Sequence, residues 1–366
     1  MKKMLMAAGM AAVMTACGTA GQKAATDAGN PFLAEYSTPF GVPPFDLIKV
    51  EHYKEAFLKG MEEQKKEIDA IVNQRSVPDF DNTIAAFDQS GELLNKVSTV
   101  FSGLNSCNTN DEMQAFNKEI TPLLSAHRDD ISLNPALFAR VKEVYERREK
   151  LGLDKEQNKL LEETYKKFVR GGANLDSVDQ AKLRQLNSEI SMLQLTFGQN
   201  LLKETNAFEL VIDKKEDLAG LPESLVASAA EAAKGAGMEE KWLFTLHNPS
   251  VMPFLQYADN RELREKIFKG YINRGNNGNE ADNNEIVKKL VALRLEKAKL
   301  MGYADYASFI LEDRMAKNEE NVYRLLNQIW TPAVAKAKEE LSDIQAEIKK
   351  EGANFTPEGW DWRYYF

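Results

Sequence analysis

Residues Asp179–Leu202 read DQAKLRQLNSEISMLQLTFGQNLL and carry the longest apolar periodicity of the chain. The apolar side chains that recur three or four positions apart are Leu183, Leu186, Ile190, Leu193, Phe197 and Leu201. Residues at this spacing lie on one face of an α-helix. We therefore predict a long helix that begins at Ser177 and buries one face against neighbouring helices.

The same helical period continues on both sides of this stretch. Helices are predicted at His52–Ile71, Asn82–Leu104 (capped by Asn82), Glu112–Arg128, Pro135–Leu151, Lys155–Arg170, Asn260–Arg274, Asn283–Met301, Tyr303–Met315, Glu319–Ile329 and Pro332–Lys350. Two short alternating segments, FELVID at 208–213 and KWLFTL at 241–246, predict strands on either side of a Pro-started helix. The fold class expected is therefore mainly α, with a small β element.

The composition is that of a globular protein: 43% of the 366 residues are hydrophobic and 28% are charged, with a net charge of −9. Nucleic-acid binding requires clustered Lys and Arg, and no basic stripe is visible. We expect no nucleic-acid partner.

The first residues have the pattern of a secretory signal. MKK is followed by the apolar run Met4–Ala16, which is too short to span a membrane. The run ends in MTACG, which resembles a bacterial lipobox, so Cys17 is the expected lipidation site. The alternative is a buried N-terminal helix with an incidental Cys. We expect a signal peptide over residues 1–16, a flexible tether over 17–30, and a lipid-anchored protein of the bacterial cell envelope that faces the periplasm.

With Cys17 lipidated, Cys107 is the remaining thiol and has no internal disulfide partner. A small buried apolar side chain is the expected role of Cys107, in preference to a reactive nucleophile.

Chemical motifs are absent from the sequence. The three histidines, His52, His127 and His247, lie far apart, whereas a helical zinc site needs two ligands about one turn apart. Each is expected to be a surface histidine or a hydrogen-bonded core histidine. The loop GNNGNEADNN at Gly275–Asn284 lacks the ligand order of an EF-hand and is predicted to be a turn between helices. No catalytic residue and no metal ligand is assigned, and the substrate-binding residues are left unknown.

Several ordered segments nevertheless resemble one family, the M3 zinc metallopeptidases, and within it the peptidyl-dipeptidase (dipeptidyl carboxypeptidase) branch. The most specific is NPSVMPFLQYADNRELREKIFKGYINRG at Asn248–Gly275. The other segments that carry the resemblance are Asn30–Phe57, Leu186–Thr205, Leu218–Leu225 and Leu290–Trp330. The resemblance thus begins at Asn30 and continues to the last residue.

The resemblance implies a helical fold whose two halves enclose a channel for oligopeptides. One zinc would be held by the two histidines of an H-E-x-x-H motif and by a later Glu, and the motif's own Glu would activate the zinc-bound water. Tyr and His groups would stabilise the oxyanion. This branch releases dipeptides from the C-termini of oligopeptides.

The sequence departs from the family pattern because it contains no H-E-x-x-H. No catalytic or zinc-binding residue is therefore carried over from the family. Residues 31–237 are expected to form an N-terminal helical region, and 238–366 a truncated start of the catalytic domain that packs less completely. The final WDWRYYF at 360–366 is expected to begin a helix that packs on a catalytic domain beyond it.

Two function hypotheses follow. In the first, the chain is the N-terminal part of a monomeric, lipid-anchored zinc peptidyl-dipeptidase and is inactive alone. In the second, it is a non-catalytic, lipid-anchored helical protein that binds peptides or a partner with the same scaffold.

Overall fold

A computed structural model describes residues 29–366. The signal peptide, the lipidation site at Cys17 and nearly all of the tether lie outside the described residues. The described part is mainly α-helical with a two-stranded antiparallel sheet, so the predicted fold class is confirmed. Within residues 29–366, no helix is both long and apolar enough to cross a membrane.

The helices and strands follow one another along the chain with short connections. They are α1 Val50–Asn73, α2 Ala86–Asp88, α3 Glu92–Cys107, α4 Asp111–Ser132, α5 Pro135–Glu146, α6 Lys155–Arg170, α7 Ser177–Ala207, β1 Leu210–Ile212, α8 Glu223–Gly235, β2 Trp242–Phe244, α9 Asn248–Tyr257, α10 Arg261–Ile272, α11 Asn284–Leu300, α12 Tyr306–Leu311, α13 Glu319–Lys350 and α14 Trp362–Tyr365. A π-helical turn at Phe80–Ala85 leads directly into α2.

Helix α7 is the long helix predicted from the sequence. The side chain of Asp176 caps its first turn by accepting hydrogen bonds from the amides of Val178 and Asp179. In its first half, Leu183, Leu186 and Ile190 are buried. The apolar side chains of its second half are only half-buried. Helices α4 and α11 pack against α7, which makes it the central element of this part of the fold.

The helix predicted at Asn82–Leu104 is wrong in two respects. Asp79, and not Asn82, is the N-cap of the helical turn that begins at Phe80. Asp79 forms a reciprocal capping box with Asn82, so Asn82 lies inside the first turn. The helix then breaks at Gly91, whose φ of 79° is in the left-handed region. A Cβ on Gly91 would lie 2.4 Å from Nε2 of Gln64, the end of a flexible side chain that can move, so the positive φ is what favours glycine here.

Three further helices differ from the prediction. Helix α13 continues through Pro332 as one helix from Glu319 to Lys350, although Pro332 cannot donate the usual backbone hydrogen bond. Helix α9, Asn248–Tyr257, begins with a proline at its start and was not predicted as a helix. The predicted α12 segment is shorter than expected, Tyr306–Leu311, because turns flank it on both sides.

The core consists of three apolar clusters. The first joins Pro31–Leu33, α1, α3 and α4 through packed aromatic rings of Phe32, Tyr53, Phe57, Phe101 and Phe116. The second joins α1, α5 and α6. The third surrounds the sheet, in which Leu210 pairs with Phe244 and Ile212 with Trp242.

The start of the final WDWRYYF segment docks on this third cluster, whereas its expected packing on a catalytic domain beyond it stays a prediction. The ring of Trp360 packs edge-on against Phe268, with centroids 6.0 Å apart. Asp361, fully buried, pairs with Arg261 at 2.7 Å and with Arg264 at 3.1 Å. Residues 362–365 then form the expected helix, which packs on α9, and the ring of Tyr364 stacks on the guanidinium of Arg264 on α10 at 3.9 Å.

The expectation of incomplete packing after residue 237 holds for one part only. Residues of β2, α9 and α10 supply fully buried side chains such as Phe244, Phe254 and Ile267, so this region is well packed. By contrast, the first half of α13 exposes large apolar side chains: Tyr323, Leu325, Leu326, Ile329 and Trp330.

Candidate functional site

The structure keeps the three histidines apart and gives each a different environment. His52 is at the start of α1, where Nδ1 accepts from the amide of Lys49. His247 is exposed and contacts Thr245 and Asn206 through its two ring nitrogens. These two match the expected surface histidines. His127 is buried, and only its Nε2 has a partner, Oε1 of Gln64 at 2.7 Å.

The Gly275–Asn284 loop is the predicted connection between two helices, α10 and α11, and a buried carboxylate organises it. Glu204, 8% exposed, accepts hydrogen bonds from the amide of Gly275 and from the side chains of Asn277 and Asn279. Burial raises the pKa of Glu204, but these hydrogen bonds outweigh it and hold the pKa below the usual value. Since three donors already occupy the carboxylate, the arrangement is structural. Across residues 29–366, no group of three His, Cys, Asp or Glu is placed to hold a metal ion.

The main concave feature of the described chain is a pair of adjoining cavities between the helices. The first, of about 510 Å³, lies among α1, α2, α3, α4 and α6. Its wall is mostly apolar and includes Phe87, Leu94, Leu124, Ile131 and Phe168. The second, of about 470 Å³, lies among α4, α6, α7, α11 and α12. Arg128, Ser132 and Lys167 line both cavities, so the two share a wall.

The second cavity is polar, and its wall contains an acidic and a basic side chain that are connected through the side chain of an asparagine. Nζ of Lys297 donates to Oδ1 of Asn187 at 2.6 Å, and Nδ2 of Asn187 donates to Asp129 at 2.8 Å. Asp129 is 6% exposed. Burial raises the pKa of Asp129 and lowers that of Lys297. One amide thus links a buried carboxylate on α4 to an ammonium on α11 through α7.

Sequence reasoning did not find this cluster, although a weak signal for it is present. Ser125 and Asp129 are four residues apart on α4, and both are buried. Asn187, Ser191 and Gln194 follow a similar three-to-four spacing on α7, beside its apolar face. Polar side chains that recur at the helical period next to an apolar face indicate a polar contact between packed helices.

The remaining thiol also differs from the expectation. Cys107 is the last residue of α3 and is exposed, so the predicted burial is wrong. Cys107 lies seven residues after the buried Val100, on the same stripe of α3, but at the end of the helix, where the side chain is exposed.

Comparison with known proteins shows similarity to one family. Residues 254–366 match the sequence model of Peptidase family M3. A dipeptidyl carboxypeptidase of Escherichia coli (strain K12) is 40% identical over 336 residues, which cover 92% of this chain and 49% of that protein. The chain is therefore similar to members of peptidase family M3 along nearly its whole length. The resemblance noted in the sequence is therefore confirmed.

Other relatives of the chain show the same coverage. The dipeptidyl carboxypeptidase of Salmonella typhimurium is 39% identical over 92% of the chain and 49% of that protein. Oligopeptidase A of Haemophilus influenzae is 28% identical over 89% of the chain and 48% of that protein. The chain spans about half the length of the curated relatives it matches.

Proposed function

We propose that this chain forms one part of a zinc-dependent peptidyl-dipeptidase that releases dipeptides from the C-termini of oligopeptides. The observation that carries the proposal is the 40% identity to the Escherichia coli dipeptidyl carboxypeptidase across nearly the whole chain. Two adjoining cavities of peptide-compatible size lie between its helices. In this proposal the chain contributes part of the wall along which the oligopeptide binds.

The described residues do not themselves fit a catalytic zinc. Three protein ligands are the usual minimum, and His52, His127 and His247 belong to three different helical environments with no carboxylate cluster beside them. No catalytic step is therefore assigned to residues 29–366. The zinc and the groups that act on its water belong, in this proposal, to the part of the family sequence that this chain does not match.

A chimera tests the proposed activity. We would join this chain to the half of the Escherichia coli dipeptidyl carboxypeptidase that it does not match, and assay the purified protein with an N-blocked oligopeptide. The expected result is zinc-dependent release of C-terminal dipeptides, lost on chelation and restored by zinc. The chain alone and the Escherichia coli half alone should release none. A folded, zinc-loaded chimera that releases no dipeptide would overturn the proposal.

We also propose that the protein is a lipid-anchored monomer of the bacterial cell envelope that faces the periplasm. The support is the MTACG motif and the apolar run before it. In cells that express the full chain, the Cys17→Ser variant should leave the membrane fraction. Cys107→Ser is the matched control and should remain membrane-bound. Membrane association of Cys17→Ser equal to that of the unmodified chain would contradict the anchor.

A non-catalytic role in peptide binding is the second candidate. The cavity pair supports it because a peptide can bind in these cavities without a metal ion. In that case the isolated chain binds oligopeptides, and the chimera described above remains inactive although both of its parts are folded.

A further inference from the structure

The apolar cavity of about 510 Å³ has a wall that suits an alkyl chain. Two polar side chains of this wall are bonded to each other, because Oε1 of Gln64 lies 2.7 Å from Nε2 of His127. Nδ1 of His127 has less than 1 Å² of accessible surface, so no ligand can reach it. The other uncharged polar groups of the wall are the hydroxyls of Ser98 and Ser132. A peptide backbone would leave most of its N–H and C=O groups without partners here, which is costly, whereas an alkyl chain needs none.

Two basic residues lie on the wall that this cavity shares with the polar cavity. Arg128 is on the last turns of α4, and Lys167 is on the last turns of α6. A cation near a helix C-terminus is favourable by itself, so either residue alone would indicate no ligand. What distinguishes this place is that the two helix ends converge, so that both exposed cations line the same two cavities.

The carboxylates near Arg128 do not balance its charge. Among residues 29–366, the walls of the two cavities contain four basic residues and a single carboxylate, Asp129. Asp130, the next residue on α4, already pairs with Lys65 at 3.3 Å and with Arg184 at 2.8 Å. Arg128 itself forms no ion pair within the described part of the chain. Its guanidinium therefore remains available to an anion at the shared wall.

The same holds for Lys167 on α6. Glu163, one turn before it, pairs with Lys159 and with Lys166, each at 2.7 Å. Across the described residues, Lys167 forms no ion pair. Two cations without carboxylate partners thus lie together beside an apolar cavity, in a chain whose net charge is −9. This combination is complementary to a ligand with an apolar body and one anionic end.

We propose that the apolar cavity binds a medium-chain fatty acid, with its alkyl chain among the apolar side chains and its carboxylate on Arg128 and Lys167. The planar guanidinium of Arg128 matches a carboxylate, with which it can form two parallel hydrogen bonds. The cavity has the size of a small-molecule site and the usual character of one, a mostly apolar wall with a few polar groups that fix orientation. The proposal does not depend on the peptidase activity, because neither a peptide nor zinc takes part in it.

Isothermal titration calorimetry on the full chain tests this binding. The ligand is decanoate, held below the concentration at which it forms micelles, and it is compared with decanol and with butyrate. Decanol has the same chain without the charge and should bind at least about tenfold more weakly, because it forms no charge-assisted hydrogen bonds. Butyrate keeps the carboxylate but lacks most of the alkyl chain, and it should bind at least about a hundredfold more weakly.

Variants then locate the site. Arg128→Gln and Lys167→Gln should each weaken decanoate by about tenfold and leave the binding of decanol unchanged. Both residues are exposed, so these variants should fold. Ser98→Phe places a ring in the apolar cavity and should weaken decanoate and decanol alike, by at least about tenfold. Lys118→Gln is the matched control: it is exposed on the same helix as Arg128, lines neither cavity, and should bind decanoate normally.

Four results would overturn the assignment. The first is no binding of decanoate, and the second is equal affinity for decanoate and decanol. The third is an affinity for decanoate that is unchanged in both Arg128→Gln and Lys167→Gln. The fourth is binding of the blocked dipeptide dansyl-Ala-Phe where decanoate does not bind, which would assign the cavity to a peptide. Dipeptide release by the chimera has no bearing on any of these results.

Discussion

Removal of the carboxylate of Asp361 is the most direct test of how the C-terminal segment is held. Asp361 is fully buried and accepts from Nε and Nη2 of Arg261, from Nη2 of Arg264 and from the amide of Glu358. In Asp361→Ala, Arg261 can turn to solvent because it is partly exposed. Arg264 cannot, since its side chain is 2% exposed.

The expected loss follows from leaving that guanidinium buried without its counter-charge. Breaking a buried pair by removing one partner costs about 3–5 kcal/mol. Arg264 keeps hydrogen bonds to the carbonyl oxygens of Ala258 at 2.6 Å and Asp259 at 3.2 Å. These bonds place the expected loss in the free energy of unfolding near the lower end, about 3 kcal/mol.

Guanidinium denaturation followed by tryptophan fluorescence measures this loss, and Trp360 and Trp362 lie beside the altered residue. The matched control is Asp313→Ala, which removes a carboxylate from an exposed pair with Lys166 and should leave the midpoint nearly unchanged. The double variant Arg264→Met with Asp361→Leu should recover most of the loss, because it removes both buried charges. The reasoning would be refuted if the Asp361→Ala variant had the same free energy of unfolding as the Asp313→Ala variant.

Three further predictions concern the cavity wall and the loop. Burial lowers the pKa of His127 below its ordinary 6.5, so as the pH falls the unfolded chain binds a proton there before the folded chain does. The free energy of unfolding should therefore fall as the pH drops below about 6.5. Urea titrations across pH 5–7 should show a shallower fall for His127→Gln, and an identical slope would count against the assignment. Gly91→Ala should lower the free energy of unfolding by about 1–3 kcal/mol, because an alanine is strained at a positive φ and its Cβ displaces the side chain of Gln64. An unchanged midpoint of thermal unfolding would contradict this prediction. Glu204→Gln should accelerate amide hydrogen exchange in the 275–279 loop by about tenfold, because the NH₂ group of the new side chain would face the N–H donors that the carboxylate now accepts from. Mass spectrometry measures this exchange, and unchanged protection would contradict the role given to this carboxylate.

The sequence predicted most of the helices because each buries an apolar face at the helical period. Lys155–Arg170 was predicted with the bounds that the structure shows, since Asp154 caps its start and glycines follow its end. The break at Gly91 escaped prediction because an isolated glycine is compatible with a helix, and the sequence does not show that this one adopts a φ of 79°. The continuity of α13 through Pro332 was also not predicted, because a proline inside a helical pattern usually ends the helix.

The candidate site was much less predictable. Its residues come from α4, α6, α7 and α11, and they meet only through tertiary packing. Local spacing can indicate that Ser125 and Asp129 share a face, but it cannot show that Asn187 separates Asp129 from Lys297. Cys107 shows the same limit: its residue type favours burial, whereas its place at the end of α3 exposes it.

The docking of the last residues on α10 also imposes an order on synthesis. Arg264 precedes its buried partner Asp361 by 97 positions. At an elongation rate of about 5–20 residues per second, Arg264 is made roughly 5–20 s before Asp361. Throughout that interval the guanidinium and the ring of Phe268 have no C-terminal segment to cover them. The region around the small sheet therefore exposes a buried-state surface to premature association until residue 361 has emerged.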